Sequence, residues 1–190
     1  MTRAGLAVVL GAILVFGGCD GGGRSAAHEG PATPRTAEAR PERVAALEVT
    51  SSAFREGQTI PTRHTADGED VAPPLAWTAP PAGTRSFALI CDDPDAPSGT
   101  FVHWLAWNLP ATDRGLGEAP TLAHQGRNGF GRSGYGGPSP PPGTPHHYRF
   151  QIFALDATLD LPDGSTRAEL DRAMERHVLA QGTLTGRYGR

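Results

Sequence analysis

Cysteine is almost missing from this chain: its 190 residues include only Cys19 and Cys91. A small fold stapled by several disulfides is excluded, and so is a Cys-based metal cluster. Charge of one sign is equally scarce. Seventeen basic and 20 acidic residues leave a net charge of −3 with no long single-sign block, so the basic stripe that a nucleic-acid partner requires is absent. No segment repeats at a fixed period, which removes solenoids and propellers. The chain also lacks an H-x-x-x-H pair, and no Ser or Cys stands in a nucleophile-elbow context. Proline and glycine, by contrast, are abundant, at 18 and 25. That load predicts many short elements separated by turns.

The N-terminus reads as a targeting segment over residues 1–18. Arg3 supplies a positive charge, and the apolar run from Leu6 to Phe16 is too short to span a bilayer. Gly17-Gly18-Cys19 then sets small residues directly before a cysteine. This resembles a bacterial lipoprotein signal, which makes Cys19 the expected lipidation site. The implied location is the cell envelope, with a lipid anchor in the membrane and the rest facing the periplasm or exterior. An ordinary secretory signal with an incidental cysteine is the alternative. Residues 19–43 are rich in Gly, Ala, Pro and Thr with hardly a large apolar side chain, the composition of a disordered tether. If Cys19 is acylated, Cys91 has no partner within the chain. It sits in Phe87-Ala88-Leu89-Ile90-Cys91 and reads as a small buried hydrophobe rather than a nucleophile.

Residues 44–190 form the expected folded domain. At about 145 residues it buries about two thirds of its unfolded-chain surface and needs neither metal nor disulfide. Strands are expected over 47–54, 75–78, 86–91, 101–109, 148–155 and 184–188, each bounded by Pro, Gly or Asp. One helix is expected. Thr166 and Glu169 make a capping box, and Leu170, Ala173, Met174, His177 and Val178 form an apolar stripe that Gly182 ends. On that pattern His177 is a core histidine. The fold class is mainly β: two packed sheets, a β-sandwich, with a peripheral C-terminal helix at the edge.

Two clusters carry the chemistry. In Asp93-Pro94-Asp95-Ala96-Pro97 the prolines stiffen a turn that aims two carboxylates. His103 follows on an apolar run whose alternation puts Phe101, His103, Leu105 and Trp107 on one face. A ring in that setting needs a polar partner. The second cluster, Gly136-Gly137-Pro138-Ser139-Pro140-Pro141-Pro142-Gly143, can bring backbone amides close to a ligand. His146 and Tyr148, two apart, then share a strand face. Taken singly, each cluster also has a bland reading as a turn, a core histidine or a flexible loop.

Together these residues resemble the phosphatidylethanolamine-binding protein family, in its bacterial Raf-kinase-inhibitor-like branch. The likeness runs through Ile60-Pro61, Asp67-Gly68, Pro73-Pro74-Leu75-Ala76-Trp77, Gly83 to Leu89, the block from Asp93 to Asn108, and Gly134 to Pro138. It continues to Ala173-Met174, His177-Val178-Leu179 and Gly186-Arg187-Tyr188. The resemblance implies a sandwich of two antiparallel sheets with a small anion pocket at one end. The pocket residues carried over are Asp93, Asp95, His103, Gly137, Pro138, His146 and Tyr148. Two departures stand out. The family's His-Arg-Tyr is His146-His147-Tyr148 here, and relatives often carry cysteines where this chain has Ala66 and Ser139, as though those positions face each other.

The expected function is therefore a non-catalytic binding module for phosphate or a phosphorylated head group, acting as a regulator or inhibitor. No metal or other cofactor and no nucleic acid are expected; a protein partner and a homodimer stay open. The alternatives are a protein-interaction or protease-inhibitor domain, and a small hydrolase using Asp, His and Tyr as acid and base.

Overall fold

The computed structural model describes residues 44–190. The expected signal, Cys19 and the tether lie outside them.

Two sheets carry the chain. The larger has six strands: β1 (Ala45–Ala46), β4 (Ser86–Asp93), β5 (Phe101–Pro110), β7 (His124–Gln125), β8 (His146–Leu155) and β9 (Val178–Tyr188), in the order β1-β9-β8-β4-β5-β7. The smaller is β2-β3-β6, from Val49–Thr50, Leu75–Trp77 and Gly115–Leu116. All pairings are antiparallel except the parallel β1–β9 contact at one edge. The sheets close on a core of Val49, Phe54, Ile60, Leu75, Trp77, Phe87, Leu89, Trp104, Tyr148, Phe150 and Ile152. A second core forms on the outer face of the large sheet. There Leu170 and Met174 of α1 (Arg167–Met174) pack on Ala88, Ile90, Leu105, Trp107 and Leu155. Because β4 is covered on both faces, all eight of its residues are buried, and it reads as a continuous apolar run rather than an alternating one.

Most elements sit where the pattern puts them, with three corrections. The segment expected as one strand over 47–54 contributes only Val49–Thr50 to the small sheet, while Ala45–Ala46 just before it joins the large one. The capping box is present, with the Thr166 N–H donating to Glu169 Oε2 at 2.7 Å, but α1 ends at Met174. Glu175 leaves the helical region and Arg176 takes φ 70°, so the stop comes without a glycine. His177 and Val178 therefore leave the helix. Val178 opens β9, and His177 is a half-exposed residue bonded to Asp156 at 2.7 Å rather than a core histidine. Gly182 lies inside β9, where a Cβ would stand 2.2 Å from the Leu47 carbonyl oxygen. Its missing side chain lets residue 47 lie against the sheet, with the Leu47 amide bonded to Gln181 O at 2.8 Å.

The irregularity that matters for the site is in β5. Cys91 pairs with Trp104 and Asp92 with Val102, which leaves His103 as an extra, unpaired residue. This bulge breaks the expected alternation. Leu105 and Trp107 face the helix-side core, and Val102 packs there too. His103 instead turns to the other side, its ring centroid 5.1 Å from that of Tyr148.

Candidate functional site

The ends of β4, β5 and β8 converge beneath the loops at one end of the large sheet. They enclose a hollow of about 200 Å³ lined by Asp93, His103, His146 and Tyr148, with Phe101, Phe130, Pro140 and Pro141 among its apolar walls. Four of the seven expected pocket residues line it. The other three, Asp95, Gly137 and Pro138, are not among its lining residues.

The acidic turn is built by its own first residue. Asp93 Oδ1 accepts the Asp95 amide at 2.8 Å, an Asx-type turn that the flanking prolines stiffen. The two adjacent histidines of β8 then divide the two acids between them. His146 points inward, and its Nδ1 donates to Asp93 Oδ2 at 2.7 Å. His147 points outward, and its backbone amide and Nδ1 meet Asp95 Oδ2 at 2.8 and 2.7 Å. These contacts, led by the His147 amide, hold the Asp95 carboxyl below its ordinary range. Asp95 thus ties the turn to β8, and His147, where the family resemblance leads one to expect arginine, is the residue it holds.

His103 is fixed through its bulge. Its carbonyl, freed from the β4 ladder, accepts the Gly136 amide at 3.0 Å, and its Nδ1 donates to Gly136 O at 2.6 Å. Burial lowers the pKa of the ring, against the opposing pull of that carbonyl and of Asp93, Asp92 and Asp70. Phe101 and Phe130 pack on the ring at 5.1 and 5.6 Å between centroids. Gly129 permits this, since a Cβ there would lie 2.4 Å from the Phe101 ring.

The proline-glycine loop has few amides left to offer. Gly136 N–H goes to His103, and Gly137 N–H donates to Asp70 Oδ1 at 2.6 Å. Prolines 138, 140, 141 and 142 have none. A Cβ on Gly137 would come within 2.8 Å of Asp70 Oδ1 and His64 O, so the glycine is needed for backbone docking. Pro138 accepts the Ala66 amide at 3.0 Å, which makes the segments holding Ala66 and Ser139 neighbours.

Tyr148 is the unusual member. The residue is 1% exposed; the Ser139 amide approaches its hydroxyl oxygen, but among the described residues no acceptor takes the hydroxyl proton. Burial first, then the carboxylate of Asp93, pushes the phenol well above its ordinary pKa, so it remains an O–H donor. Buried hydroxyl protons are ordinarily paired in folded proteins, so this one is an exception. No group of three His, Cys, Asp or Glu side chains among the described residues could hold a metal ion.

The walls contributed by Phe130, Phe101 and prolines 97, 140 and 141 escape the sequence reading. Phe130 lies outside every expected strand, and its ring, 45% exposed at the mouth, stacks under Arg132 at 5.7 Å. The only signal for it is the flanking glycine pair, Gly129 and Gly131.

A family model described as phosphatidylethanolamine-binding protein matches residues 50–189. The chain belongs to that family. Among its relatives is a UPF0098 protein of Pyrococcus horikoshii, 41% identical over 96% of this chain and 88% of its own length. A Mycobacterium tuberculosis protein, LppC, whose name classes it as a candidate lipoprotein, is 37% identical over 99% of this chain and 94% of its own length. Two solved structures share the fold. A phosphatidylethanolamine-binding protein homologue of Chlamydia trachomatis has a TM-score of 0.73 at 35% identity, over 76% of this chain and 98% of its own. YbcL of Escherichia coli, titled a new member of the mammalian family, has a TM-score of 0.72 at 34% identity, over 77% and 99%. Membership of the phosphatidylethanolamine-binding protein family supports a binding role for this chain.

Proposed function

We propose that the protein is a binding module for a small anionic or phosphorylated ligand held in the hollow at the end of the large sheet. It acts without turnover, as a regulator or inhibitor tethered at the cell envelope. One observation carries this reading: the buried Tyr148 hydroxyl on the cavity floor has no acceptor for its proton. Beside it His146 is oriented by Asp93, so its other ring nitrogen is free for a ligand. A volume of about 200 Å³ suits a tetrahedral oxyanion with a short substituent and leaves no room for an acyl chain. LppC supports the envelope location through its name.

Titration calorimetry with inorganic phosphate tests the reading on the wild type and on Tyr148→Phe. A charge-assisted hydrogen bond contributes about 1.5–3 kcal/mol, so the variant binds at least about tenfold more weakly. Equal affinity of the two chains would remove Tyr148 from the site.

The Asp93–His146 pair also has the form of an acid–base dyad, which favours a hydrolase as the second reading. Turnover of a phosphomonoester or ester that disappears in His146→Gln would establish it over the first.

A further inference from the structure

The hollow is meant for an anion yet has no permanent cation. No arginine is among its lining residues, and the chain contains no lysine. The titratable groups around the floor are Asp93 and His146 in its wall, bonded to each other at 2.7 Å, with Asp92 and Asp70 behind His103. Asp92 is occupied by Arg149 and Arg167, and Asp70 by Arg132. Arg190, which acts on Tyr148 from the far side, is itself held by Asp67. Hydrogen-bond polarity sharpens the point. The partner of His103 Nδ1 is a carbonyl, which can only accept, so Nδ1 carries the proton. In the neutral ring Nε2 is then an acceptor, and no described residue donates to it. Across the cavity floor, Tyr148 has a proton to give and no acceptor.

Resting on the anion-binding reading, we propose that the pocket takes its ligand as a proton-bearing oxyacid. One acidic O–H of the ligand donates to His103 Nε2, and an unprotonated oxygen of the same group accepts from Tyr148. The hollow thereby admits monoprotonated phosphomonoesters and rejects sulfate esters, which match them in shape but have no proton to donate. Burial, which disfavours the imidazolium of His103, keeps that nitrogen an acceptor.

Calorimetry on the full chain compares methyl phosphate with methyl sulfate at about pH 5.5 and about pH 7.5. A phosphomonoester with a second pKa near 6 loses most of its monoanion over that range, so its affinity falls roughly 20-fold on raising the pH, while methyl sulfate binds at neither pH. If both esters bind alike and both tighten together towards acid, a charged imidazole supplies the proton: the proposal fails and the anion reading stands. If neither binds at millimolar concentration, the anion reading falls with it. A His103→Gln chain extends the test, because the amide can donate as well as accept and gains affinity for methyl sulfate. The wild-type comparison decides the matter even if that variant does not fold.

Discussion

His103 joins strand irregularity and loop docking in one side chain, and its burial has a thermodynamic signature. Its folded-state pKa lies below the ordinary value of 6.5. As pH falls below 6.5 the unfolded chain takes up a proton that the folded chain refuses, so stability declines on acidification through that window. The depressed Asp67, Asp95 and Glu169 act lower, below ordinary values of 3.8, 3.8 and 4.5. The interval from about pH 6.5 to about pH 5 therefore isolates histidine. His103→Asn, followed by urea unfolding, shows a shallower loss of stability across that interval than the wild type. Equal slopes would mean that the ring charges freely in the folded state. Read from the sequence, the need of this ring for a polar partner was plain, but the partner was not. Gly136 O lies 33 residues away and belongs to a loop whose path nothing local dictates.

Among the elements, length decided what could be read. β4, β5 and β8 each span eight or ten residues, enough for a run or an alternation to register. β1, β2, β6 and β7 have two residues each, too few for any period, and their pairing is set by neighbours. The helix was legible at its start, where chemistry is local, and not at its end. The apolar spacing runs on through His177 and Val178, yet Val178 pairs with Leu155 across the sheet. Tertiary pairing there outweighs helical period. The join between α1 and the sheet rests on Asp92. Its side chain is fully buried and receives Arg149 Nε at 2.7 Å, Arg167 Nη1 at 2.8 Å and Gln151 Nε2 at 3.1 Å. Asp92→Asn keeps the shape and removes the charge, leaving Arg149 without its anion and Arg167 with Asp171 alone. The expected cost is about 3 kcal/mol in urea unfolding, at the low end for a broken buried pair because both arginines are partly exposed. A loss under about 1 kcal/mol would show the cluster to be a surface ornament.

For the molecule as a whole, the two-faced burial of the large sheet makes its central strand the last part to open. Cys91 sits there, 1% exposed, and its thiol is pushed up by burial and by Asp92 and Asp93. In a Cys19→Ser chain, a thiol reagent labels Cys91 only at the rate of global unfolding, and urea accelerates labelling in step with loss of structure. Labelling at the speed of a free thiol in native buffer would contradict this burial. The gathering of the site is also a property of the whole. Asp93 and His146 meet across 53 residues, and only the ordered likeness to a family made that meeting legible. Composition and periodicity assign the strands but cannot say which loops share an end. The extra residue in β5 adds a consequence for redesign. Removing His103 altogether would let Val102 and Trp104 fall into regular register with β4, giving a neater sheet whose hollow has lost its imidazole wall. A deletion rather than a substitution is thus the cleanest way to take this hollow apart while keeping the sheet.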